Sequence, residues 1–168
     1  QVAKWIEENS GDRLEEHLAL IANHYFEAGQ KDLAADWFIT AGERALKLCS
    51  MQEAILLFEK ALNLINNKDL TRLWQATLGH DEAVGALGEL DKRHADDVTL
   101  LNLAKGLKDH GRLAEAYYRS GSQAYRDGNN REALRALDQA LDLTNRTKDL
   151  LLPALILPMK ISILTFEG

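Results

Sequence analysis

Displaced so that Phe38 falls on Tyr117, the sequence matches itself without a gap as far as Leu64 on Leu143. Gly42 falls on Gly121, Ala45 on Ala124, Glu53 on Glu132 and Ala54 on Ala133. Ala61 falls on Ala140, Leu62 on Leu141 and Leu64 on Leu143, and the match runs on to Asn66 and Asn145. Phe38 and Tyr117 are both aromatic, and Phe58 and Leu137 are both large and apolar. A duplicated series of small and large apolar residues marks a chain built from copies of one unit, each burying its apolar face on its neighbours.

Each copy reads as two helices joined by a tight turn. From Ala34 to Leu48, the residues Phe38, Ala41, Ala45 and Leu48 recur at helical spacing. Ser50 and Glu53 form a Ser-x-x-Glu capping box opening a second helix, which buries Ala54, Phe58, Ala61, Leu62 and Ile65. In the later copy the turn is Asp127-Gly128-Asn129-Asn130, where Gly and Asn tolerate positive φ. Gly42, Ala54 and their copies let neighbouring helix axes approach closely while aromatic side chains fill the space above.

The best-defined pairs span 35–65 and 114–144, and the whole of 1–168 reads as one helical-repeat domain. A helix from Leu14 to Ala28, stopped by Gly29, precedes them. Between the copies a short helix from Asp69 to Leu78 ends at Gly79. Helical patterns from Asp81 to His94 and from Val98 to Lys108 follow, either separate or joined as one helix over 82–107. Five separate helices would point the two copies in opposite directions; a joined helix restores an even count. From about Lys148 the chain is apolar, with Pro153 and Pro158 bending a helix or delaying its start. Ile161 to Phe166 fits either a helix or an extended segment.

Composition narrows the function. Apolar residues at 46% and charged residues at 27% are globular values. A formal charge of −6 with no Lys/Arg run argues against nucleic acid, which needs clustered cations. No apolar stretch reaches the roughly 18 residues of a membrane span. The single cysteine, Cys49, has no second thiol for a disulfide or a metal site, which points to a reducing, cytoplasmic setting. It occupies the turn position that Gly128 holds in the other copy and reads as a small, buried or half-buried side chain. The sequence opens on Gln1 rather than Met and reads as a piece of a longer protein.

Motifs for chemistry are lacking. There is no G-x-x-x-x-G-K-[ST] or G-x-S-x-G, and Gly85-Ala86-Leu87-Gly88 lies inside a helical pattern. His17 and His24 share a helix face without a third ligand, while His80 and His110 sit beside Gly79 and Gly111 and read as turn residues. Glu7/Glu8, Glu15/Glu16 and Asp96/Asp97 are adjacent and do not converge on a helix, so they read as solvated faces or as charge near a helix N-terminus. No catalytic residue, no metal site and no cofactor is expected.

The series Phe38, Gly42, Ala45, Ala54, Phe58, Ala61, Leu62 and its copy Tyr117, Gly121, Ala124, Gly128, Ala133, Leu137, Ala140, Leu141 resembles the tetratricopeptide repeat, a helix-turn-helix unit of about 34 residues. An overlapping match runs through Tyr25, Gly29, Ala34, Phe38 and Ala41. Ala45 and Ala124 stand where that family has a tyrosine, and Asn66 and Asn145 where it has a proline. Half the displacement between the copies is also longer than the family's repeat. The run Ala28-Gly29, Ala34-Ala35, Ala41-Gly42-Glu43-Arg44-Ala45-Leu46 is similar to the repeats that follow the ATPase module of large bacterial signalling proteins.

The resemblance implies an all-α fold of antiparallel helix-turn-helix repeats stacked as a right-handed α-solenoid. It also implies a concave groove that holds a protein or peptide, or another domain of the parent. In that reading Asp36, Ile39, Glu43, Lys47, Glu115, Tyr118, Ser122, Tyr125 and Arg126 face the groove, with Tyr118 and Tyr125 as amphipathic anchors. A different class of function, an effector-sensing helical domain gating a linked enzyme or DNA-binding domain, would need a deep apolar pocket. Leu150-Leu151-Leu152, Leu155-Ile156-Leu157, Ile161, Ile163, Leu164 and Phe166 are too many apolar residues for one face. The surplus surface is expected to pair with a second copy as a twofold dimer.

Overall fold

The computed structural model describes residues 2–9, 11–147 and 150–166, and among them every regular element is helical. The chain is an all-α helical-repeat protein. Its elements are α1 (Val2–Asn9), a 3-10 segment (Gly11–His17), α2 (Leu18–Glu27), α3 (Lys31–Lys47), α4 (Met51–Leu64), α5 (Leu70–Ala86), α6 (Leu90–Leu107), α7 (His110–Arg126), α8 (Asn130–Thr147) and α9 (Leu151–Phe166). They divide into two compact units, Gln1–Asp96 and Asp97–Gly168, with the boundary inside α6.

The duplication is visible in the backbone. α3 and α7 begin at Lys31 and His110 and end at Lys47 and Arg126, while α4 and α8 begin at Met51 and Asn130. Each of these pairs keeps the displacement that lays Phe38 on Tyr117. The turns share one hydrogen-bond pattern. Cys49 N–H donates to the Leu46 carbonyl and Ser50 N–H to that of Ala45. In the later copy Gly128 N–H donates to Tyr125 and Asn129 N–H to Ala124. The turn needs one residue at positive φ: Gly128 supplies it at 77°, and Cys49 adopts it at 57° despite its Cβ. Cys49 is exposed rather than buried as its size suggested, because the tip of this turn points away from the core.

The small residues work as expected at the crossings. A Cβ on Gly42 would meet the Phe58 ring at 2.8 Å, and one on Gly121 would meet Leu137 Cγ at 2.9 Å. In the first unit, Phe38, Ala54, Phe58, Ala61, Ala76 and Val84 belong to one apolar core. In the second, Ala114, Ala133, Leu137, Ala140, Ile156 and Ile163 form another.

Several boundaries differ from the sequence reading. α5 runs unbroken through Gly79, which is buried under Phe58; that glycine is a packing notch and not a stop. The stop is Gly88, at φ 74°, so Gly85-Ala86-Leu87-Gly88 is the end of a helix; 82–107 is neither one helix nor split at 95–97, because 82–86 closes α5 and α6 runs unbroken from Leu90 to Leu107. The even count survives: two helix pairs, α3/α4 and α5/α6, separate the start of α3 from that of α7 along the chain. The first turns of the expected Leu14–Ala28 helix wind as a 3-10 segment, entered through Gly11 at φ 50°. Ser50 precedes α4 but its side chain makes no capping bond. Asp69 and Asp109 cap instead, accepting from Arg72 N–H and from Gly111 and Arg112 N–H. The C-terminal apolar stretch is helical throughout 151–166. Pro153 sits in its first turn, where no intrahelical donor is missed, and Pro158 lies inside it.

Candidate functional site

The first-unit site residues meet on α3. Asp36, Thr40, Glu43, Arg44 and Lys47 follow helical spacing, and together with Trp37 they line one wall of a cleft of about 530 Å³. Leu14, Glu15 and Leu18 form the facing wall. Its floor is apolar, from Leu14, Leu18 and Trp37, and its rim is charged.

The rim charges are unequal in freedom. Asp36 accepts two bonds from the Arg72 guanidinium on α5, at 2.7 and 2.8 Å, and Arg72 also holds Asp69. The Asp36 hydrogen bond, the largest influence, raises the Arg72 pKa further. Glu43 accepts from Gln75 of α5 at 2.8 Å. Both acids are therefore turned toward α5. Among the described residues Arg44 pairs with the exposed Glu15 carboxylate at 3.8 Å, and its Nε is buried without a hydrogen bond. Lys47 is exposed at the cleft's edge. The charged groups left to meet a ligand here are the Arg44 and Lys47 cations and, across from Arg44, the exposed Glu15 carboxylate, all beside an apolar floor.

The second-unit residues have a different fate. Ser122 is buried and lies 3.6 Å from Met159 Sδ, and the Tyr125 hydroxyl is 3.1 Å from Ser162 Oγ, so α9 covers this face of α7. Tyr118 packs half-buried on the core. Glu115 pairs with Arg119 one turn on, and Arg126 donates to Gln123 within α7. Ile39 is buried in the first unit's core. The structure thus brings Asp36, Glu43 and Lys47 together at an open cleft and places the others in packing or local pairs. Sequence reasoning missed Arg44 and Trp37 as wall residues; their place at helical spacing from Thr40 and Lys47 was the available signal. Leu14, Glu15 and Leu18 come from a separate segment, which no periodicity on α3 could reveal. A larger space of about 870 Å³ lies by the α7–α8 turn, lined mostly by polar side chains and containing none of the expected groove residues.

A second polar cluster lies within the first unit. His80 is inside α5 and buried, not in a turn, and its Nδ1–H donates to Asp96 at 2.6 Å. Its Nε2 faces Glu59 at 3.8 Å, with Lys92 nearby. The Asp96 hydrogen bond raises the His80 pKa against the opposing effect of burial, and Glu59 adds to the rise. Asp96 is half-buried and Asp97 buried, so neither is on a solvated face, and both lie well inside α6, away from its N-terminus. Among the described residues, no group of three or more His, Cys, Asp or Glu is placed to hold a metal ion, and no helix is long and apolar enough to cross a membrane.

No family model and no curated protein matches this chain. Among solved structures it is similar to the apo form of RapI, with a TM-score of 0.79 at 10% sequence identity. The match covers 98% of this chain and 61% of the length of that one. At that identity the likeness speaks for the fold alone, a helical-repeat array.

Proposed function

We propose that this chain is a non-catalytic helical-repeat module that binds a protein segment in the α3 cleft of its first unit. The segment is another protein's or another domain's within a larger regulatory protein of the bacterial signalling kind. One observation supports this reading above others: Arg72 and Gln75 turn Asp36 and Glu43 toward α5, leaving Arg44 and Lys47, with only Glu15 opposite Arg44 to offset them among the lining residues, beside the apolar floor of Leu14, Leu18 and Trp37. That arrangement suits a peptide with a large apolar side chain next to a carboxylate, since the apolar anchor supplies burial and the cations supply orientation.

Panning a displayed random-peptide library against the chain tests this. Enrichment of sequences pairing Leu, Ile or Phe with Asp or Glu is the expected result. Enrichment of basic peptides, or none that saturates the cleft, contradicts it.

A further inference from the structure

α9 is built as the first helix of a repeat whose second helix is missing among the described residues. α3 joins α5 through Asp36 and Arg72, and α7 joins α9 through Ser122–Met159 and Tyr125–Ser162. Laying the start of α3, Lys31, on the start of α5, Leu70, makes Gln75 the equivalent of Asp36. Asp36 therefore meets the residue three before its own equivalent, while Glu43, bonded to Gln75, meets the residue seven before its own. On α9 the Asp36 offset makes Ser162 the equivalent of Ser122 and Thr165 that of Tyr125, and the Glu43 offset slides the match one turn along the same face. By the Asp36 offset Tyr117, Gly121 and Ala124, the positions on which α8 seats, correspond to Leu157, Ile161 and Leu164. Those three are 46%, 62% and 57% exposed. The stripe of helix-receiving positions on α9 thus carries no helix among the described residues.

Two features of the stripe select its occupant. Either match puts a β-branched side chain, Ile161 or Thr165, at the notch that Gly42 and Gly121 keep open for Phe58 and Leu137, so a helix bearing such a large residue there would not seat. On α9 itself Ala154, Leu157, Ile161 and Leu164 instead follow a three-four-three spacing, the pattern of a seam that packs against a helix of its own kind, and Leu150 lies just ahead of the helix. No charge interrupts it, because Lys160 is bonded to Asp138 of α8. Leu150, Leu151 and Leu155 extend it at 85%, 81% and 55% exposure. Together these side chains expose on the order of 700 Å² per copy, close to the roughly 800 Å² per partner of a stable interface.

We infer that α9 of a second copy occupies this stripe, antiparallel and across a twofold axis, so that the small Ala154 of each copy receives a large side chain of the other.

Sedimentation equilibrium on the full chain tests it, reading mass against the 18.8 kDa of one copy. A mass of twice that value is expected, and Leu157→Glu or Ile161→Glu should halve it with helical circular dichroism unchanged. As a second readout, Leu157→Cys in a Cys49→Ser background should form a disulfide-linked dimer on mild oxidation, while Gln139→Cys in the same background should not. A parent chain that is monomeric across the concentration range, or a dimer that persists with both glutamates, overturns the inference.

Discussion

The Phe58 ring lies so close over Gly42 that a Cβ on that glycine would meet its Cζ at 2.8 Å, and Gly79 flanks the same ring from α5. The ring is fully buried and held between two glycine backbones, so it has no room to swing aside. Helix propensity alone favours Gly42→Ala by about 0.5–1 kcal/mol. The overpacked crossing should outweigh that, with Gly42→Leu destabilising by roughly 1–3 kcal/mol and Gly42→Ala failing to stabilise. Thermal melts of the two variants check it; a raised Tm for Gly42→Ala would show that the notch is slack.

Cys49 carries a side chain where the matching turn has Gly128. Relieving a non-glycine residue at positive φ should make Cys49→Gly more stable by about 1 kcal/mol, and Gly128→Ala less stable by a similar amount. Urea unfolding of both variants measures the pair of opposite signs. Two shifts of the same sign would separate the two turns despite their shared hydrogen bonds.

His80 ties α5 to Asp96 and faces Glu59. Its folded pKa is raised above the unfolded value of about 6.5. The stabilisation is therefore fully present below about pH 6.5 and is lost as pH rises through the folded pKa. Asp96→Asn should lower the His80 pKa and flatten that part of the stability profile, as followed by the imidazole NMR signals and by unfolding at stepped pH. Lys92 opposes the rise, so Lys92→Ala should move the His80 midpoint up.

Arg72 joins α3 to the start of α5. Both it and Asp36 are partly exposed, so the bidentate pair is expected to contribute only about 1 kcal/mol. Arg72→Gln should lose about that amount in low salt and less in high salt. The same substitution releases Asp36 beside the cleft cations and should weaken binding of an acidic peptide more than it weakens the fold.

The repeat is legible in the sequence because its signal is apolar and periodic: Gly42 with Phe58, and Gly121 with Leu137, announce one crossing twice. Helix ends are less legible, because a glycine can be a stop or a notch. Gly79 and Gly88 look alike in sequence, and only the ring of Phe58, a contact from another helix, tells them apart. The site is legible in part for the same reason. Asp36, Glu43 and Lys47 share a helix face, but which charges remain free depends on Arg72 and Gln75, which lie on another helix. Tyr125 and Ser122 sit at matching positions on α7 yet are covered by α9, whose helical continuity through Pro158 the sequence leaves open.

The cleft reading is tested most directly by a charge swap. An acidic, apolar peptide recovered by panning is titrated against the parent chain and against the Arg44→Glu/Lys47→Glu variant, and then replaced by a version with its acids changed to Lys. Affinity should fall at least tenfold for the acidic peptide on the variant and return for the basic one, which corresponds to about 1.4 kcal/mol in each direction. Equal affinity of parent and variant for the acidic peptide would place binding elsewhere and contradict the proposed function.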